Sequence, residues 1–498
     1  MQPRSAGGWA RPLLVVGVLA ACAVFMFADV RVPPIVIWDE SRLAVNALEM
    51  HLGGPSLVTT YGFQPDLWNT KPPLMIWLMQ ACIALFGPAE WAIRLPSNLA
   101  AMGVLLLVLL FTRRVTHSLG AGALAAVLLA LSLGFFGEHG ARTADYDALL
   151  SFFTTGYMLA LFFAAHRRRP QAGLLLLAGA LVAGAVMTKT IAGLVPGFGL
   201  ALYLLAVNRW RRPFESPWYA AAGAVAAAPV AAFYGLRELQ APGYLAAVWG
   251  NDVGGRFGTA LDQHAGPPWY YLRTTFLAPL FSAGALALGA PLALLGARGL
   301  ARQALIFALL AALGVLVPIS LSSTKLPQYA LPAYPFLAIA TAIAAHRLWT
   351  LLEARRAAQP RSLLAARAVL GVLLVAIAAK ACWFRWEYLP ARQFYPQAMY
   401  GRLFERLAAQ GVRNVLVVER GPPGVGFPVG YAPQLRYYAL VWRGKGLSVR
   451  QALSVPPADQ RRPGTVLASC DPREVRAVGA LGPDLTGVAG CAAIRPGG

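Results

Sequence analysis

The chain has 498 residues, of which 58% are hydrophobic and 13% charged, with a mean hydropathy of +0.56; a water-soluble domain carries about 25% charged residues. That composition excludes a soluble globular protein. The net charge of +22 does not mark a nucleic-acid binder, because the Lys and Arg residues stand mostly in short clusters at the ends of apolar blocks, where they set membrane topology.

The apolar blocks run to roughly 17 to 23 residues, enough for a helix to cross a hydrocarbon core of about 30 Å. A barrel would show short alternating segments instead. In chain order, spans are predicted at residues 13–28, 92–112, 119–137, 147–165, 172–188, 191–207, 218–236, 274–295, 303–320, 328–346 and 363–381, about eleven in all. Arg4 and Arg11 precede the first block and no small-residue cleavage site follows it, so an uncleaved anchor with a cytoplasmic N-terminus is expected. The connections that then fall inside, with the N-terminus, hold about 17 Lys and Arg against about two acids, whereas the opposite loops hold roughly ten against twelve.

Leu74 to Phe86 is too short for a span, and crossing there would invert the charge pattern of every later loop. It is read as an interfacial helix, as is Asp39 to Leu52, which is polar and apolar by turns. After Trp383 the composition becomes mixed, with a helical pattern over 397–410 and a strand-like run over 412–418. The expected organisation is mainly α: a membrane domain over residues 1–383, and a small extracytoplasmic α/β domain over 384–498 ending in a flexible Gly- and Pro-rich tail. Of the five cysteines, Cys22, Cys82 and Cys382 lie in or beside apolar blocks. Cys470 and Cys491 can pair if the tail faces an oxidising compartment.

The chemistry gathers on the external side. The first loop carries Asp39–Glu40, which either acts as a base on a substrate arriving from the lipid or begins the following helix as a cap. A second cluster runs from Glu138 to Asp147, where Arg142 and Asp145 can orient a sugar or phosphate and Asp147 can cap the next span. Lys71, Lys189, Arg256 and Lys325 all fall on this face, as a site for a lipid-borne phosphate requires, although each Lys alone can snorkel. His264 has no second His or Cys at ligand spacing, so no metal site is assigned. No Walker loop, dinucleotide fingerprint or metallohydrolase motif occurs.

In its motifs the sequence resembles the membrane glycosyltransferases that take sugar from a polyprenyl phosphate, the GT-C group containing the lipid A aminoarabinose transferases and the protein O-mannosyltransferases. The segments are WDESRLAVNALEM, NTKPPLMIWLMQACIALFG with EWAIRLPS, ARTADYDALL, MTKT, NDVGGRF with HAGPPWYYL, and STKLPQYALPAYP, in order over residues 30–345. The resemblance implies an inverting transfer of sugar from polyprenyl (undecaprenyl) phosphate to lipid A, a glycan or a protein. It implies Asp39 as base, Asp145 as acceptor-binding or activating group, and Lys71 and Arg256 on the donor phosphate. Lys189, Lys325, Tyr329, His264, Glu40 and Arg142 are expected around the same cavity. The family often has Glu before the first-loop Lys, where this chain has Thr70; a divalent cation is therefore left open rather than required. The competing readings are a flippase or transporter of lipid-linked sugars, whose site would lie at the bilayer midplane, and a non-catalytic subunit of an envelope assembly.

Overall fold

The structure, a computed structural model, describes residues 10–28, 34–35, 38–169, 171–255, 264–277, 287–354, 360–388, 396–421 and 429–495. In chain order the helices are α1 (Ala10–Phe27), α2 (Asp39–Gly53), α3 (Leu74–Phe86), α4 (Glu90–Thr116), α5 (Leu119–Ala130), α6 (Leu133–Phe136), α7 (Tyr146–His166), α8 (Ala172–Lys189), α9 (Val195–Ala206), α10 (Pro217–Gln240) and α11 (Tyr244–Val248). They are followed by α12 (Gly299–Leu321), α13 (Tyr334–Ala354), α14 (Pro360–Trp383), α15 (Tyr400–Ala409), α16 (Pro433–Arg443) and α17 (Val475–Gly479). Among the described residues, six helices are long and apolar enough to cross a membrane: α4, α7, α8 continuing to Gly193, α10, α12 and α13 with the turn before it. Shorter apolar helices occupy Pro12–Phe27, Leu119–Ala130 and Val195–Ala206, at three further predicted spans. Part of the predicted span over 274–295 lies outside the described residues. Leu74–Phe86 is a 13-residue helix, the length expected of an interfacial one.

Contacts group the chain into two compact units. The first contains residues 1–28, 66–75 and 96–386. Its core is an apolar bundle in which Phe111, Phe162, Tyr203 and Phe307 pack ring against ring, with centroids 4.8 to 6.1 Å apart. Helices in lipid gain no hydrophobic drive from one another, so close backbone approach matters. Here α9 and α12 meet at glycines: a Cβ on Gly199 would lie 2.4 Å from the Leu310 carbonyl oxygen, and one on Gly314 2.3 Å from the Gly199 nitrogen.

The second unit contains residues 29–65, 76–95 and 387–498. Strands β3 (Asn414–Val418), β4 (Ser448–Ala452), β5 (Val466–Ser469) and β6 (Ala492–Ile494) form a sheet in the order β4-β3-β5-β6, parallel except for β5 with β6. Where a flexible tail was expected, Ala492–Ile494 pairs with β5, and a Cys470–Cys491 disulfide ties the end of β5 to the start of β6. The sheet needs an apolar covering, and Val418, Leu467, Val478 and Ile494 supply one core. In the same unit α16 packs on α2.

That packing is polar at its centre. Glu49 of α2, almost fully buried, accepts hydrogen bonds from the Gly62 and Phe63 amides at 2.9 and 2.8 Å and from the Thr60 hydroxyl at 2.9 Å. Its carboxylate also pairs with the Arg436 guanidinium of α16 at 2.7 Å. Arg42 lies over the Tyr61 ring at 3.7 Å and near the Tyr431 ring at 5.4 Å. The Tyr438 hydroxyl donates to Glu90 at 3.0 Å and accepts from the Ile35 amide at 3.2 Å, and Tyr437 donates to the Pro88 carbonyl at 3.0 Å.

Candidate active site

In the first unit the site is built around the start of α7. Asp145 caps that helix, its Oδ1 accepting from the Tyr146 amide at 2.6 Å, and its Oδ2 is hydrogen-bonded to Nδ1 of His139. Its backbone is fixed by Ser97 of α4, whose hydroxyl donates to the Asp145 carbonyl at 3.0 Å. Burial would raise the pKa of this carboxyl. The charge and hydrogen bond of His139, the Lys189 charge and the Tyr146 amide outweigh that and hold it below the ordinary carboxylate range. A buried anion is thus kept ready at a helix N-terminus, where the helix dipole also favours negative charge.

The cap assignment corrects the sequence reading, which offered that role to Asp147. Asp147 lies inside α7 and receives the Lys189 ammonium on both carboxylate oxygens, at 2.6 and 2.7 Å. Lys189, at the last turn of α8, also stands 5.5 Å from the Tyr329 ring centroid. Lys71 approaches the same helix start, with its ammonium 5.7 Å from the Tyr146 ring centroid. The Tyr146 hydroxyl in turn donates to Asn69 at 3.0 Å. Asp145 and Lys71 therefore converge on adjacent positions of one helix start.

The loop bearing Lys71 is held by a network. The Thr70 hydroxyl donates to Asp252 at 2.9 Å and accepts from Asn251 at 3.2 Å, while the Tyr244 hydroxyl donates to the Thr70 carbonyl at 2.7 Å. Thr70 anchors the loop and offers no carboxylate to a cation.

Of the other expected residues, Arg142, Lys325 and His264 are tied to backbone groups. The Arg142 guanidinium donates to the carbonyls of Met26 and Ala28 at the end of α1, at 3.2 and 3.5 Å. Lys325 donates to the Ile319, Ser320 and Ser322 carbonyls at the end of α12, a C-terminal cap. His264 meets Lys325 through the backbone, its carbonyl accepting the Lys325 amide at 2.8 Å. Arg256 lies outside the described residues.

In the second unit Asp39 opens α2 as a first-turn acid; Trp38 occupies the cap position and provides no side-chain cap. Tyr431, its pKa pushed up to about 12 by burial, carries Asp39, Arg42 and Tyr61 in its electrostatic surroundings. Glu40 points into the protein and is bound by Arg94 of α4 at 2.6 and 2.9 Å. Sequence reasoning gave His139 and Arg94 no role of their own and offered Asp147 only as a cap. A charge inside an apolar block was the available signal for Arg94 and Asp147.

The fold matches the crystal structure of ArnT from Cupriavidus metallidurans bound to undecaprenyl phosphate, with a TM-score of 0.62 at 18% identity over 98% of each chain. It also matches the archaeal oligosaccharyltransferase AglB from Archaeoglobus fulgidus, in complex with an inhibitory peptide and a dolichol-phosphate, with a TM-score of 0.52 at 14% identity, covering 93% of this chain and 70% of that one. The chain is a polytopic membrane protein of the GT-C fold. The family described as dolichyl-phosphate-mannose-protein mannosyltransferase matches residues 70–234. The undecaprenyl phosphate-alpha-4-amino-4-deoxy-L-arabinose arabinosyl transferase of Pseudomonas aeruginosa (strain UCBPP-PA14) is 30% identical over 330 residues, 64% of this chain. The match spans 57% of that relative's length. The chain is thus similar, over part of its length, to membrane glycosyltransferases named for polyprenyl-phosphate sugar donors.

Proposed function

We propose that this protein is an inverting glycosyltransferase that moves a sugar from undecaprenyl phosphate to an envelope acceptor such as lipid A, a glycan or a protein. The bond between the anomeric carbon and the donor phosphate oxygen breaks as a bond from an acceptor hydroxyl or phosphate oxygen forms on the opposite face. Asp39 takes the acceptor's proton when that group is a hydroxyl, Asp145 binds or activates the acceptor, and Lys71 with Arg256 stabilises the departing phosphate. Glu40 and Arg142 act as structural supports of these groups, and Lys189, Tyr329, Lys325 and His264 shape the surroundings. Residues 1–383 form the transferase domain and 384–498 the extracytoplasmic domain. The protein resides in the bacterial inner membrane with its N-terminus in the cytoplasm, and the Cys470–Cys491 pairing supports an oxidising compartment for the tail.

The observation that carries the reading is the Asp145 carboxylate, buried and held ionised at the helix start that Lys71 also approaches. The names of the relatives, which specify an undecaprenyl phosphate sugar donor, support the donor class.

The test is transfer of radiolabelled sugar from polyprenyl phosphate in proteoliposomes supplied with envelope lipids. The wild-type protein moves the label covalently to a new product, whereas Asp39→Asn inserts and folds but transfers none. Normal turnover by that variant removes Asp39 from the mechanism, and label that only changes sides of the bilayer identifies a flippase. Mass spectrometry of envelope lipids and glycans with and without the protein names the acceptor.

A further inference from the structure

The loop between α9 and α10, on the face that the charge pattern assigns to the cytoplasm, has a defined shape. Helix α9 ends in a backbone turn in which Asn208 adopts φ 54° and the Arg209 amide donates to the Leu204 carbonyl at 2.7 Å. A short 3-10 turn follows over Arg212–Phe214, and Ser216 then caps α10, with Pro217 at its first position. The arginines of this loop therefore sit on a fixed frame.

That frame forms an open pocket of about 600 Å³ lined by Asn208, Arg209, Trp210, Arg211, Arg212 and Glu215. Three arginines and one carboxylate line it. Arg209 donates to the Ala165 carbonyl at the end of α7, Arg211 stacks on Trp210 at 4.8 Å, and Arg212 pairs with Glu215 at 2.7 Å. Arg167, Arg168 and Arg169 follow immediately after α7 and add positive charge without an acid. Guanidinium forks match phosphate oxygens bidentately, and basic pockets between membrane helices on the cytoplasmic side suit phosphate headgroups. Phe214, 83% exposed, and Trp210, 44% exposed, stand beside the arginines, as aromatic side chains do at headgroup level.

We infer that this pocket binds the phosphate headgroup of an anionic lipid of the cytoplasmic leaflet, a site separate from the sugar-transfer chemistry. Lipid-borne phosphate is favoured over a free anion because the cation cluster is flanked by exposed aromatic rings that a soluble ligand would leave unused.

Native mass spectrometry of the delipidated full chain, titrated with cardiolipin, phosphatidylethanolamine or pyrophosphate, tests the site. Cardiolipin should be retained in preference to phosphatidylethanolamine, and removing two arginines together, Arg211→Gln with Arg212→Gln, should weaken it by about twenty-five-fold, near fivefold per charge. Glu215→Gln removes the competing carboxylate and should tighten binding. Arg298→Gln with Arg302→Gln, exposed arginines at the start of α12, should change nothing. The inference is overturned if the first double variant binds as the wild type does, if the control pair loses as much, or if pyrophosphate binds without any preference for the lipid. Sugar transfer is measured separately, so either reading can fail alone.

Discussion

Replacing Glu40 by Ala should unfold part of the second unit rather than weaken substrate binding. Arg94 is 1% exposed and Glu40 2%; two hydrogen bonds of 2.6 and 2.9 Å join them, and the Arg94 guanidinium also donates to the Pro34 carbonyl at 2.9 Å. Removing one partner of such a pair leaves a buried charge uncompensated, which costs about 3–5 kcal/mol. Glu90 also lies within electrostatic reach of Arg94, which places the expected loss nearer the lower figure. Pulse proteolysis in increasing denaturant reads the loss of stability in Glu40→Ala. The double variant Glu40→Ala with Arg94→Met removes the stranded charge and should recover most of it. A Glu40→Ala protein as stable as the wild type, or a double variant no better than the single one, would refute the reasoning and return Glu40 to the substrate.

His139→Gln removes the charge that holds Asp145 ionised, so the acid limb of the pH–rate profile for sugar transfer should move to higher pH; an unmoved limb would show that Asp145 does not depend on His139. Glu419, buried between Tyr400 and the Gly421 amide, has its pKa raised to about 7, chiefly by burial. The folded state then binds this proton more tightly than the unfolded one, so its contribution is greatest below about pH 4.5 and is lost as pH rises to about 7, by about 3 kcal/mol. Denaturant midpoints should show this slope, and Glu419→Gln should flatten it. Cys491→Ser opens a loop closed across 21 residues and should cost about 3 kcal/mol in the same assay. An unchanged midpoint under reducing conditions would count against the bond.

The helical membrane bundle was legible because block length and flanking charge report the solvent of each segment directly. The short helix Leu74–Phe86 was legible from its bounds, since Pro72–Pro73 precede it and Gly87–Pro88 end it. The site was legible only as a set of residue types on one face. Asp145 and Asp147 stand two residues apart and look interchangeable; what separates them is that one precedes the helix and the other meets Lys189, 42 residues later. Glu40 read as a loop acid because its partner Arg94 lies 54 residues away inside an apolar block. That three carbonyls at the end of α12 turn toward Lys325 is not visible in the local sequence.

The tie between Glu49 and Arg436 spans 387 residues. Ribosomes add about 5–20 residues per second, so a nascent chain exposes Glu49 for roughly 20 to 80 seconds before its guanidinium partner exists. Until then α2, with Asp39 at its head, has only the Thr60, Gly62 and Phe63 groups to occupy that carboxylate. Completion of the last fifth of the polypeptide is therefore a maturation step for the segment made near the start, and a chain stopped early would leave the membrane insertion machinery with that helix unfastened.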